Sequence, residues 1–193
     1  MSTLIIDSPA LKMAADSLGD IESLRIASEN RLRSLTRSEE DSDGEMRGLG
    51  LDENHPDVAR AALMVENIKS LEAAQVKTIQ QMMRRHPLYG WVKNSIGVGE
   101  KQAARLLATI GDPYIAERVI KTKDGKIQDI VTGPRTAREF MSYCGYGIGE
   151  DGQARRRKKG EKSNWNVDAK MRAYLIANSV VKTEGELRAV YDA

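Results

Sequence analysis

Over most of the first 86 residues apolar side chains recur at intervals of three and four, in two runs separated by a stretch with almost nothing to bury. That spacing belongs to helix and leaves few other options. In the first run Leu11, Ala14, Leu18 and Ile21, then Leu32 and Leu35, keep the alternation. Ser8-Pro9 supplies a capping hydroxyl followed by the residue best tolerated at a first helical position. Arg25 and Ser28 fall where the seam asks for apolar side chains, and Gly19 weakens it further. The second run opens at Asn54-His55-Pro56, continues through Ala61, Val65, Ile68, Leu71, Val76, Ile79 and Met83, and stops near His86-Pro87. Between them, 38–54 is acidic and glycine-containing, which predicts a mobile loop. Two such helices fold back as an antiparallel hairpin, an arm resembling a coiled coil. A stripe this narrow is completed either by the rest of the molecule or by a second copy, and its exposed length favours a homodimer through the arm.

Past Pro87 the texture changes to short elements punctuated by glycine, so 87–193 is predicted as a separate compact domain following the 1–86 arm. Val119 to Val131 alternates apolar and polar residues around Asp124-Gly125, a β-hairpin signal. Pro134 is expected to start a helix running to about Tyr143, Asn166 to Lys182 reads as another, and Thr183-Glu184-Gly185-Glu186 begins a last short one. With only 5% aromatic residues against 30% charged, an all-β fold is disfavoured. The expected class is mostly α: a long antiparallel helical hairpin plus a compact helical domain with one small β-hairpin.

The near-neutral total of +2 conceals a division of charge. Met1 to Met83 carries 9 Lys and Arg against 15 Asp and Glu, a net of −6, whereas Arg84 to Ala193 carries 21 against 13, a net of +8. A basic half of this kind is the footprint expected where phosphates are neutralised, although a soluble basic surface gives the same count. A lone Cys144 excludes an internal disulfide, and His55 and His86 stand apart, so neither a metal site nor a cofactor is expected. No stretch approaches the length of a membrane span, and the N-terminus lacks a secretory pattern; a cytoplasmic protein without membrane partners is the expectation.

The segment from Leu88 to Asp112 carries the most chemistry. Gly97 and Gly99 bracket Val98 in Ile96-Gly97-Val98-Gly99, followed four residues on by Ala103. Glycines there permit backbone conformations closed to other residues and leave peptide amides bare. The helix expected to open at Glu100 turns unpaired N–H groups and a positive dipole end toward any anion. Ile96 and Val98 are expected to face inward, with Leu88, Trp91, Val92, Leu106, Leu107 and Ile110 on faces the fold must bury. Lys93, Lys101 and Gln102 then stand where side chains reach phosphate oxygens, and contacts of that kind position a protein without reading bases. A tight turn between two packed helices, with no ligand, explains the same glycines. A second basic feature is Arg155-Arg156-Arg157-Lys158-Lys159 in a glycine-flanked stretch, whose contact with phosphates would release counterions and make binding salt-dependent; a solubilising loop is the plainer account.

The Ile96-Gly97-Val98-Gly99 turn with Ala103 resembles the helix-hairpin-helix family, which implies sequence-independent DNA binding. More widely, the order of helical arm, Trp91 to Asp112, Ala137 to Tyr146, basic loop and a closing helix with Met171 to Leu175 resembles the C-terminal half of RNA-guided insertion-sequence transposases. These join a RuvC-like acidic domain, a coiled coil and a serine-bearing domain. The chain departs from that pattern twice. Met1 to Met83 offers no counterpart of the metal-binding acidic domain. Asp151-Gly152 stands where the resemblance would require Ser-Gly, and an aspartate cannot replace a serine nucleophile. Ser163, nearby, has no activating neighbour at an evident spacing. The resemblance therefore implies a binding protein rather than an enzyme, with DNA or structured RNA as partner. Two alternatives stay open: a recombinase subunit whose catalytic domain lies on another chain, and a helical module for protein partners.

Overall fold

A computed structural model describes residues 8–122, 124–149, 152–153, 156, 159–160 and 165–193, with Lys121 described in its backbone alone. The chain is mostly helical with one two-stranded antiparallel sheet. In order the elements are α1 (Pro9–Thr36), α2 (Pro56–Arg84), α3 (Tyr89–Asn94), α4 (Glu100–Ile110), β1 (Ile115–Lys121), β2 (Ile127–Pro134), α5 (Ala137–Tyr143), α6 (Val167–Val181) and α7 (Glu186–Asp192). Two compact units emerge, one of Met13–Gln81 and the other of Met82–Ala193 together with Met1–Lys12. None of the described helices is long and apolar enough to cross a membrane.

Within the first unit α1 and α2 run antiparallel. Leu18, Val65, Ile68 and Ile79, positions that the three-four spacing assigns to the seam, are buried, as is Val58 outside it, whereas the seam residue Leu71 is exposed. The two irregularities in that seam have physical explanations. Arg25 does not interrupt the packing; its guanidinium bonds Glu72 of α2 at 2.5 Å and Glu29 of its own helix at 2.7 Å. Ser28 is small enough to be buried, at the cost of a hydroxyl without a partner. Gln75 reaches across to donate to the Ala14 carbonyl at 2.9 Å. The connection 38–54, expected as a mobile loop, is instead folded back on α1. Leu49 and Leu51 donate to the Ser34 and Leu35 carbonyls at 2.9 Å, and Arg47 gathers Asp41, Asp43 and Glu45 around itself. Acidic composition hid this, because the one arginine within the run, Arg47, answers three of its carboxylates at once.

The second unit is organised about α4 and α6. Ile110, Cys144 and Ala169 are buried together, with Leu106, Leu107, Phe140, Tyr143 and Tyr146 packed around them. Asn166 ties α5 to α6. Its amide donates to the Tyr143 carbonyl and its side chain to the Tyr143 hydroxyl, both at 2.8 Å, while its Oδ1 caps α6 by accepting from Ala169 N–H at 2.9 Å. Pro134 departs from expectation. It closes β2 instead of opening α5, since pairing runs on until the Arg135 amide donates to the Tyr114 carbonyl at 2.8 Å. The helix waits for Thr136, whose hydroxyl accepts from Glu139 N–H while Glu139 accepts in return from the Thr136 amide. Such a reciprocal box is a stronger start signal than proline two residues earlier.

Candidate nucleic-acid interface

The site predicted from Gly97 and Gly99 forms where α3 turns into α4. α3 ends at Ser95, whose amide donates to the Trp91 carbonyl at 3.0 Å and whose hydroxyl donates to the same oxygen at 2.9 Å. The chain then reverses in four residues, closed by Val98 N–H to the Ser95 carbonyl at 3.0 Å. Gly97 occupies the third position of that turn at φ +87°, where a type II geometry calls for glycine. Space excludes other residues as firmly as torsion does. A Cβ on Gly97 would lie 2.5 Å from Thr183 Oγ1 and 2.7 Å from the Val180 Cα. Val98 and Ala103 are buried, pinning the turn and allowing the helices to approach.

Gly99 is the opposite case. It is exposed, sits at the N-cap of α4 in extended conformation (φ −74°, ψ 141°), and offers no side-chain cap. Nothing lies within 4 Å of where its Cβ would be. Its carbonyl accepts from Ala103 N–H at 3.0 Å, so the helix starts regularly behind it. The two glycines thus divide the work: Gly97 packs against the end of α6, and Gly99 leaves the head of α4 open. The expectation that both lie bare fits Gly99 alone.

Charge at this helix start is already partly answered. Glu100, first residue of α4, accepts from Arg84 Nε at 3.1 and 3.2 Å and from the Tyr89 hydroxyl at 3.2 Å. The arginine, ahead of the tyrosine, holds the carboxyl below its ordinary range. This carboxylate complements the helix dipole, and Arg84 balances the carboxylate. Lys93 is exposed on α3, and Lys101 and Gln102 are half-buried in the first turn of α4. The Gln102 Oε1 is buried with no hydrogen-bond partner, an acceptor that sequence gives no means of anticipating.

Two apolar neighbours behave differently from expectation. Trp91 is 63% exposed and Ile96 59% exposed, because burial in α3 falls on Val92, and Ile96 lies beside Gly185 at the start of α7 without being enclosed. Of the basic run, Arg156 and Lys159 are exposed, whereas Arg155, Arg157 and Lys158 lie outside the described residues. Four other cations of this unit are taken up within it, so counting from sequence overstates what a ligand meets. Arg105 is 3% exposed. Arg135 stacks over Tyr143 at 5.0 Å and Phe140 at 5.9 Å, Lys170 lies 4.7 Å from the Trp165 ring, and Arg118 pairs with Glu139 at 2.9 Å. No protein-family model, curated protein or solved structure matches the chain.

Proposed function

We propose that the chain is a non-enzymatic nucleic-acid-binding protein that takes hold of a phosphodiester backbone at the α3–α4 turn. One observation carries this reading: the eleven-residue α4 begins at an exposed glycine with no side-chain cap and open space before it, on a turn held in place by the packing of Gly97. A phosphate oxygen seated there takes up N–H groups that no side chain caps and meets the positive end of the helix. Lys93 and Lys101 flank that position in sequence, and the exposed Arg156 and Lys159 belong to the basic run that would add electrostatic, sequence-independent affinity. The resemblance to insertion-sequence transposases extends the proposal to a relative without strand chemistry of its own, since Asp151 stands in the serine's place.

Fluorescence anisotropy with a labelled duplex, repeated from 50 to about 300 mM salt, tests it. Binding should weaken steeply, with a log–log slope of roughly −0.9 for each phosphate neutralised. A flat dependence, or binding unaltered by Gly99→Asp, removes the proposal.

A further inference from the structure

The β-hairpin leaves most of both its faces uncovered. Every residue of β2 except Gly133 is exposed, and in β1 Ala116 is the one residue with described burial that is buried. Val119 (49%) and Ile130 (56%) face one side as cross-strand partners; Ile120 (44%) and Val131 (41%) face the other. A two-stranded ribbon with so little of either face covered is marginal in water, and adding strands is the usual remedy.

The hydrogen-bond phase says which edge is free to accept a strand. Arg135 donates to the Tyr114 carbonyl, and in the same register Ala116↔Gly133, Arg118↔Val131 and Ile120↔Asp129 are the rungs whose amides and carbonyls face the other strand. The alternate residues of β1, Glu117 and Val119, therefore turn their N–H and C=O outward. Beyond the irregularity at Ile120/Lys121, the Thr122 amide bonds the Lys126 carbonyl at 2.8 Å, which keeps the Lys121 backbone in the outward set. The outer edge of β2 is guarded twice: Gln128 is an extra residue in the ladder, and Pro134 has no N–H to give. Bulges and prolines are the devices that keep edges from pairing. Between Ala116 and Ile120, β1 carries neither.

We propose that the outer edge of β1 docks against the same strand of a second copy of this chain, antiparallel about Val119, giving a continuous four-stranded sheet. The register is self-complementary. Val119 falls opposite Val119 of the second copy, and Glu117 opposite Lys121, so residues of opposite charge face each other twice across the two-fold axis. On that face Ile130 and Val119 of one copy continue into Val119 and Ile130 of the other, an apolar row spanning four strands. The self-pairing expected of the arm has a competing surface in Leu71 of the predicted stripe and in Leu63 and Met64 beside it, all exposed. That face offers no free backbone donors, whereas the β1 edge offers a ladder of them. This inference is independent of nucleic-acid binding.

Sedimentation equilibrium of the full chain over a concentration series decides it. The wild type should form dimers, Glu117→Lys should raise the dimer Kd about tenfold by setting like charges opposite, and Glu117→Lys combined with Lys121→Glu should restore it. Val119→Pro, which removes an outward N–H, should leave monomers with an unchanged helical circular dichroism spectrum. The proposal is overturned by a wild type that stays monomeric, by a dimer indifferent to Glu117→Lys, or by a dimer lost instead on Leu63→Glu with Leu71→Glu.

Discussion

The second unit starts its helices in two contrasting ways. At α5 and α6 the first turn is closed by side chains, Thr136 with Glu139 in one case and Asn166 in the other. At α4 the N-cap is Gly99, with no side-chain bond and open space beyond it. α7 also begins at a glycine, but there a Cβ would come within 3.1 Å of Ile96, so packing explains the residue choice. No such crowding explains Gly99. Serine or aspartate at that place would stabilise the helix, so a bare start at an open surface costs stability and leaves amides for something outside the chain. α3, whose N-cap is Leu88, lacks a side-chain cap as well, so the lesson is that an uncapped start becomes informative where, as at Gly99, it is a glycine that neither a positive φ nor crowding requires.

Four experiments would break or sharpen that contrast. The largest effect belongs to Gly97→Ala, which sets a side chain at positive φ against Thr183 and Val180. The torsion alone costs about 1–2 kcal/mol and the overlap adds to it, so urea unfolding should show a clear loss of stability; an unchanged midpoint would mean that the turn is not held by this packing. Gly99→Asp comes next and separates the two roles. Aspartate is a good cap, so stability should hold or rise by a few tenths of a kcal/mol, while its charge should lower duplex affinity about tenfold, near 1.4 kcal/mol. Thr136→Ala is the control at the closed start: it should cost about 1 kcal/mol of stability and leave affinity unaltered. The smallest effect is a pH dependence. Glu139 has its folded pKa lowered from 4.5 to about 2, chiefly by the Thr136 amide and then by Arg118. Its contribution is therefore complete above about pH 4.5 and is lost as pH falls toward 2. Glu139→Gln should flatten that part of a stability-against-pH curve, and a curve unaltered by the substitution would show that the bonds at the closed start contribute nothing.

How much of this was legible beforehand depends on whether the signal is local. Helix periods, the Asp124-Gly125 turn and the helix read from Asn166 to Lys182 are properties of neighbouring residues, and each is found close to where it was expected, the last as Val167–Val181. Failures cluster where a distant residue decides. Trp91 and Ile96 read as core because they are apolar, yet the elements covering α3 take Val92 instead. Arg105, Arg118, Arg135 and Lys170 counted toward a free basic surface, and burial, a carboxylate or an aromatic ring has taken each of them up. The division of labour between Gly97 and Gly99 was equally out of reach, since it depends on Thr183 arriving from more than eighty residues away. The open edge of β1 lies between these extremes, because alternation announces a hairpin but only the bonding phase tells which amides point outward.

The bonds from Asn166 to Tyr143, with Gly145 wedged beside Trp165, carry a consequence for how this molecule can change. They hold Tyr143 and Asn166 together, so the stretch of chain between them, which includes the basic run, begins and ends at nearly one point. Closing a longer excursion from a fixed base costs only about 0.6 kcal/mol for each doubling of its length. Recoding of the arginines and lysines there is therefore cheap for the scaffold, which makes the segment a natural place for descendants of this chain to retune the affinity proposed above without relearning how to fold.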